Sequence, residues 1–322
     1  MKIGIMGAGG IAGVMADTVR AMDTAECYAV ASRNLAKAQR FAQDHPCRKA
    51  YGSYEELVMD PEVDLVYIAT PHSEHYENAK LCIAHGKAVL CEKAFTANEA
   101  QAREIFRLAQ EKGVLITEAI WTRYMPFLQV IKEVLAGGVI GDPVMLTANL
   151  GYPISQVPRI QDPALAGGAL LDVGVYTLHF ACMMLGNEVE DISSTCTYTP
   201  TGVDAQNSIT LKFKSGAMAV LNSSVLSVSD RKGIIQGTKG FLCVENINNF
   251  ERLSVYDKEY RKVAEYQRPP QISGYEYEVE ACRRALQKGA TACEEISPED
   301  TLYVMHIMDT LRQQWNIRYP FE

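Results

Sequence analysis

Gly7, Gly9 and Ala12 stand at the spacing G-x-G-x-x-A within Gly7-Ala8-Gly9-Gly10-Ile11-Ala12, after a short apolar run and at the start of a helical pattern. A loop of this kind binds phosphate through its backbone. The first glycine permits a tight turn, the second lets the main chain approach an anion, and Ala12 keeps the helix close to the strand. The N–H groups that open the helix, around Gly10 and Ile11, then face the negative charge. The ligand such a loop takes is the pyrophosphate of a dinucleotide. The next strand ends in Ala31-Ser32-Arg33-Asn34. NAD-binding chains commonly hold the ribose hydroxyls with Asp or Glu here, and Glu26 lies at the wrong end of the strand. Arg33, beside Ser32, can grip a 2′-phosphate with its planar fork, and Lys37, one helical turn on, adds charge. These residues point to NADP(H) rather than NAD(H); the plain alternative makes Arg33 and Lys37 ordinary surface cations.

Two further clusters carry chemistry. Thr70-Pro71-His72-Ser73-Glu74-His75 follows a strand, at the edge where sheets of this kind hold ligands, and the next strand ends in Glu92-Lys93-Ala94. A lysine at such a strand end can bridge a nicotinamide ribose and a substrate hydroxyl, or it can be a solvated loop lysine. In GGALLDVGVYTLHF, Gly167 to Phe180, Asp172, Tyr176 and His179 are spaced i, i+4, i+7. At about 100° per residue they share one helix face. That face is either a proton-handling, substrate-binding site or a polar face hydrogen-bonded at a sheet interface.

The elements that must position these groups fall into two grammars. From Lys2 to about residue 120, strands at Lys2–Met6, Cys27–Ala31, Asp64–Ala69, Ala88–Cys91 and Val114–Glu118 alternate with helical patterns. Those helices run Ile11–Ala21, Ala36–Gln43, Tyr76–His85 and Asn98–Lys112. The alternation predicts a doubly wound parallel Rossmann sheet. Beyond residue 120, after helices at Pro126–Ala136 and Leu171–Leu185 and a strand at Pro143–Leu150, strands follow one another. They lie near 192–198, 208–213, 217–223, 233–236, 240–245 and 252–256. Turn signals such as Lys214-Ser215-Gly216 between them predict a large, mostly antiparallel open sheet. The expected division is residues 1–120 for the nucleotide and 121–322 for substrate and dimerisation. Helices at 277–287 and 298–314 end the chain, the last able to pack back on the first domain.

The chain has 322 residues, 48% of them hydrophobic, enough for two cores. A net charge of −8, with no basic run, argues against nucleic acid and anionic membranes and leaves a small molecule as the partner. No continuous run of about 18 apolar residues and no signal-peptide pattern is read, so a cytoplasmic protein is expected. The nine cysteines form no C-x-x-C pair, stand at no zinc spacing and suit a reducing compartment, so no metal is expected.

Ala69-Thr70-Pro71 with His75, the Glu92-Lys93 pair and the series Gly168, Asp172, Gly174, Tyr176 together resemble the Gfo/Idh/MocA oxidoreductase family, over nearly the whole chain. Leu81 to Phe95, Glu118 to Pro126 and Gly167 to Tyr176 are most similar to its dihydrodiol dehydrogenase and NADP-dependent sugar dehydrogenase branch. The resemblance implies Lys93 as the essential lysine, Tyr176 as general acid/base and Asp172 as its helper. It implies that Arg33 and Lys37 contact a 2′-phosphate, and that Trp121 and Arg123 lie near nicotinamide and substrate. It also implies a homodimer formed through the C-terminal sheet. Ala94 departs from the family's Pro. A non-Pro cis bond costs about 2.5–4 kcal/mol, so either a trans bond with a shifted lysine or a tolerated strain is expected. Tyr176 replaces the His of inositol dehydrogenase-like members, as in the sugar and diol branches. The implied activity is hydride transfer between NADP(H) and a sugar-like, diol or dicarbonyl substrate. A redox glycosidase with retained NAD and a silent NADP(H)-binding regulator are the competing readings.

Overall fold

Ile3, Ile5 and Met6 in strand β1 (Lys2–Met6) and Leu65 to Ile68 in strand β4 (Leu65–Ile68) have no solvent exposure. Strands so apolar on both faces must lie in the middle of a covered parallel sheet. The computed structural model, which describes all 322 residues, places them there. The other members are β2 (Glu26–Ala31), β3 (Lys49–Tyr51), β5 (Ala88–Glu92) and β6 (Ile116–Ala119). All pair in parallel, in the order β3-β2-β1-β4-β5-β6, the doubly wound Rossmann arrangement expected from the sequence. Five helices complete it: α1 (Gly10–Arg20), α2 (Leu35–Asp44), α3 (Tyr54–Met59), α4 (His72–Ala84) and α5 (Glu99–Lys112). The strand order reverses between β1 and β4, which opens the crevice in which such sheets hold ligands.

The chain divides into two units, Met1–Tyr124 with Gln271–Met305, and Met125–Pro270 with His306–Glu322. The first break falls at 124/125, and residues 271–305 return to the first unit. They bring helix α9 (Glu276–Lys288), whose Val279, Ala281, Cys282 and Ala285 are buried, and the first half of α10 (Pro298–Gln314). An amphipathic pattern shows that a helix has an apolar face, not which core receives it.

In the second unit, α6 (Pro126–Ala136) leads to β7 (Pro143–Gly151), the one-turn helix α7 (Pro158–Gln161), a π-helical turn at Leu170–Gly174 and α8 (Val175–Leu185). Seven strands follow: β8 (Val189–Tyr198), β9 (Asp204–Phe213), β10 (Met218–Ser224), β11 (Gly233–Gly237), β12 (Gly240–Glu245), β13 (Arg252–Asp257) and β14 (Lys262–Gln267). With β7 they form an eight-stranded sheet in the order β14-β13-β12-β11-β7-β10-β9-β8, antiparallel except where β10 lies beside β7. The apolar residues of β7 and β10 that alternate inward, Leu146, Ala148, Ala219 and Leu221, are buried under α8. Residues 163–185 are long and apolar enough to cross a membrane, contrary to the run-length reading. The most apolar stretch is 89% buried within the protein, as a core helix would be.

Four elements escaped the sequence pattern. Strand β3 has three residues, α7 four and α3 six, and β14 is exposed and polar, so none shows a sustained apolar period. Missing β3 also hid a cysteine pairing. Cys27 on β2 and Cys47 just before β3 are joined in a disulfide with Cα atoms 5.1 Å apart, whereas the sequence reading kept all nine cysteines as thiols.

Candidate active site

At Gly7 the backbone has φ of +107°, and a β-carbon there would lie 2.7 Å from the Ala69 carbonyl oxygen. The turn after β1 is therefore pressed against the end of β4, which only glycine allows. Gly9 and Gly10 differ. A β-carbon on either meets nothing within 4 Å, so the space is open. Gly9 caps α1 without a side chain, and no acidic residue stands in the first turn. Ala12 has no exposure, as close helix–strand packing requires. An N-terminus with bare N–H groups above an open, glycine-lined cradle fits a pyrophosphate.

Beyond β2, Ser32 is buried, its N–H bonded to the Tyr51 carbonyl and its hydroxyl accepting from Asn34 N–H. Asn34 caps α2 by accepting from Lys37 N–H at 3.1 Å. Arg33, with 71% of its side chain exposed, and the exposed Lys37 project from this turn without a strand-tip carboxylate. The nearest acid comes from elsewhere: Glu74 Oε1, in the first turn of α4, is 3.7 Å from Arg33 Nη1. The cluster fits a 2′-phosphate, with Glu74 as a competitor that spacing alone did not reveal.

Thr70 and Pro71 immediately precede α4, which begins at His72 rather than Tyr76. Asn78 Nδ2 donates to Thr70 Oγ1 at 3.0 Å. His75 is fully buried, and its two ring nitrogens each lie 2.9 Å from a carbonyl oxygen, of Thr70 and of Ala94. Its pKa is lowered, chiefly by burial, against which the carbonyl contacts pull upward. A neutral ring donates to one of the two carbonyls only. His75 is therefore a brace between the loops after β4 and β5, not a group turned toward a ligand as the sequence reading had it.

At the end of β5, Glu92 accepts from the Tyr67 hydroxyl and from Lys93 N–H, so a buried carboxylate holds the lysine's backbone. The Lys93–Ala94 peptide is cis. Trp121 and Arg123 fall in a 3-10 turn after β6. The Trp121 ring stacks on Tyr275 at 4.2 Å between centroids, and its buried Nε1 has no acceptor in the protein. Arg123 is drawn inward, its Nη1 3.4 Å from Asp300 Oδ1. Tyr275 was missed because the segment that carries it lies 150 residues downstream of the nucleotide pattern.

In the second unit, Asp172 lies in the π-helical turn and Tyr176 and His179 in α8, all three buried. Asp172 Oδ1 accepts from Arg159 Nη1 at 2.8 Å. Residues 170–174 make i→i+5 bonds, so the assumed 100° per residue does not run through Asp172. His179 has no exposure at all.

Comparison with known proteins extends this picture. Residues 1–120 match the family model described as an oxidoreductase family with NAD-binding Rossmann fold, and residues 128–243 match the GFO/IDH/MocA C-terminal domain. A trans-1,2-dihydrobenzene-1,2-diol dehydrogenase of Xenopus tropicalis is 35% identical over 99% of both chains. That of Sus scrofa is 34% identical over 99% of this chain and 98% of its own. Among solved structures, an NAD-binding oxidoreductase from Klebsiella pneumoniae is 26% identical, with a TM-score of 0.85 over 98% of this chain and 97% of its own. The 3-ketoreductase KijD10 of Actinomadura kijaniata, in complex with NADP and TDP-benzene, shares the fold with a TM-score of 0.88 at 24% identity, over 97% of each chain. With both halves matched in their order and full-length relatives named as dehydrogenases, the chain belongs to the Gfo/Idh/MocA family of NAD(P)-dependent oxidoreductases.

Proposed function

We propose that this enzyme uses NADP(H) to interconvert a secondary alcohol and a carbonyl on a sugar-like, diol or dicarbonyl substrate. Tyr176 is the general acid/base, with Lys93 and Asp172 assisting. The observation that carries the cofactor choice is the turn after β2, where Arg33 and Lys37 project and no strand-tip carboxylate stands. The relatives' name, trans-1,2-dihydrobenzene-1,2-diol dehydrogenase, supports a vicinal diol as substrate.

Gly7, Gly9 and the first turn of α1 would hold the pyrophosphate, Arg33 and Lys37 the 2′-phosphate, and Trp121 Nε1 would donate to an acceptor on cofactor or substrate. When bound, NADP(H) accepts or supplies the hydride. The protein's own task is the proton. Tyr176 takes it from the substrate hydroxyl in oxidation and returns it to the carbonyl oxygen in reduction. A phenol ordinarily titrates near pH 10, so this role needs a cation, and Lys93 is assigned to it. Two copies pair through the outer face of the eight-stranded sheet.

The test is a substrate screen that follows nicotinamide absorbance, with NADP+ or NAD+ supplied for trans-diols and aldoses and NADPH or NADH for ketoses and 1,2-dicarbonyls. Oxidation of a diol or reduction of a dicarbonyl with preference for the phosphorylated nucleotide is expected. Turnover with NAD(H) alone removes the cofactor assignment, and no turnover of any of them removes the substrate class.

A further inference from the structure

Gly168 has φ of +118°, and a β-carbon on it would lie 2.3 Å from Asp204 Oδ1. Only a glycine lets the chain cross this carboxylate so closely. Asp204, the first residue of β9, is 2% exposed. Its Oδ2 accepts from Leu170 N–H at 2.8 Å and from Asn207 Nδ2 at 3.0 Å. Asn207 Oδ1 in turn accepts from the Ser223 hydroxyl at 3.0 Å, and Ser223 Oγ lies 3.0 Å from where a β-carbon of Gly174 would be. A polar chain from β9 and β10 therefore runs under residues 168–174. Leu170 opens the helical stretch, where backbone N–H groups lack helical partners. The Tyr319 hydroxyl steadies the same turn by donating to the Gly167 carbonyl at 2.9 Å.

We infer that Asp204 is a positioning residue: its ionised carboxylate anchors the turn Gly168–Leu170, from which the helix bearing Asp172 and Tyr176 is laid, and so aims the Tyr176 phenol. This rests on the role given to Tyr176 above. One oxygen that accepts two N–H bonds while the other is pressed against backbone leaves little room for an added proton, so protonation loosens the anchor. Burial works against ionisation and raises the carboxyl from 3.8 to about 6, with Asn207, Leu170 N–H and Arg312 pulling it down. The charged or titratable groups facing it are Arg312 of α10, itself held by Asp309 and Glu322, Tyr319, and Cys196 of β8. Because the folded-state value is raised, ionisation costs stability: the cost is absent below about pH 4 and complete above about pH 6. An enzyme that keeps such a cost under the helix of its acid/base follows the usual trade of stability for activity.

The experiment compares wild type with Asp204→Asn between pH 5 and 8. It measures amide exchange of residues 168–174, corrected for intrinsic rate, together with kcat, KM and the NADPH dissociation constant. In wild type, exchange rises about 10-fold as pH falls through about 6, the scale of one lost hydrogen bond, and kcat falls over the same range. In Asp204→Asn, which carries no charge and sets an amide NH2 where Oδ1 meets the Gly168 backbone, kcat is roughly 10- to 100-fold lower at pH 7.5 and has no step near pH 6. NADPH binding is unchanged. Wild-type exchange that is flat from pH 5 to 8 overturns the inference and requires no variant. A variant with wild-type kcat and an intact acid limb overturns it too. Should Tyr176→Phe turn over normally, the role of Tyr176 falls, while the exchange result still decides whether Asp204 anchors the turn.

Discussion

Glu74 Oε1 lies 3.7 Å from Arg33 Nη1, so the guanidinium proposed to hold a 2′-phosphate is already shared with a carboxylate from the first turn of α4. Both are substantially exposed, and the pair is screened by salt. Glu74→Gln should tighten NADPH a few-fold at low salt and leave NADH unchanged. Arg33→Ala should weaken NADPH roughly 10- to 100-fold, again sparing NADH. Fluorescence titration of each nucleotide measures both; equal losses for NADPH and NADH in Arg33→Ala would remove the cation from the 2′-phosphate.

The glycines of the first loop are separable. At Gly7 an added methyl meets the Ala69 carbonyl and a left-handed backbone, so Gly7→Ala should lower stability by about 1–3 kcal/mol. Gly9 has open space, so Gly9→Ala should melt like wild type yet bind NADPH at least about 10-fold more weakly. Calorimetry with and without NADPH distinguishes the two, and a Gly9→Ala that binds normally means no pyrophosphate approaches there.

Tyr176→Phe keeps the ring that packs in α8 and removes the hydroxyl proposed to carry the proton. Turnover should drop by roughly 100-fold or more, with the NADPH dissociation constant unchanged. Undiminished turnover would assign the proton to another group.

Asp60 accepts from Lys49 Nζ at 2.8 Å and from the Tyr51 hydroxyl at 2.6 Å, with its side chain 3% exposed. Burial alone would raise its carboxyl, but the bonds from Lys49, Tyr51 and Glu62 N–H outweigh it and bring the pKa from 3.8 down to about 2. A lowered folded-state value contributes stability above pH 3.8 that is lost as pH falls toward 2. Asp60→Asn should therefore cost about 1–2 kcal/mol at pH 7 and progressively less below pH 4, by urea denaturation at each pH. A cost that does not change with pH would mean the bonds do not depend on the charge.

On the outer face of the second sheet, Val220 stands beside Thr147 and Thr210, and Ile234 beside Thr147, a row of β-branched side chains that alternates valine or isoleucine with threonine. If two copies pair there, light scattering at micromolar concentration gives twice the 35.6 kDa chain mass, and Val220→Glu gives one chain mass. A monomeric wild type rejects the pairing.

What the sequence discloses about the site follows physical range. The glycine loop, the strand-end Lys93 and the Arg33 turn are local: each acts through the backbone or through a side chain next to its own strand. Their spacing therefore carries their chemistry. Glu74 meets Arg33, Tyr275 meets Trp121 and Asp204 meets Leu170 across 41, 154 and 34 residues of chain, and no period connects them. His75 shows a different limit. Its motif was visible, but only the two flanking carbonyls reveal that it braces loops. At Asp172 the pattern gave no sign of the π turn, which alters the angle per residue without altering composition.

The division of the chain at 124/125, 270/271 and 305/306 has a consequence for synthesis. While the first 124 residues emerge from a ribosome, the apolar surface that α9 will cover stays bare until about 160 further residues have been translated. The second unit, by contrast, lacks only a short C-terminal stretch when residue 270 appears. The nucleotide half is begun first and finished late, so a fragment cut at residue 124 would meet solvent, or a chaperone, with a face that evolution never asked it to expose for long.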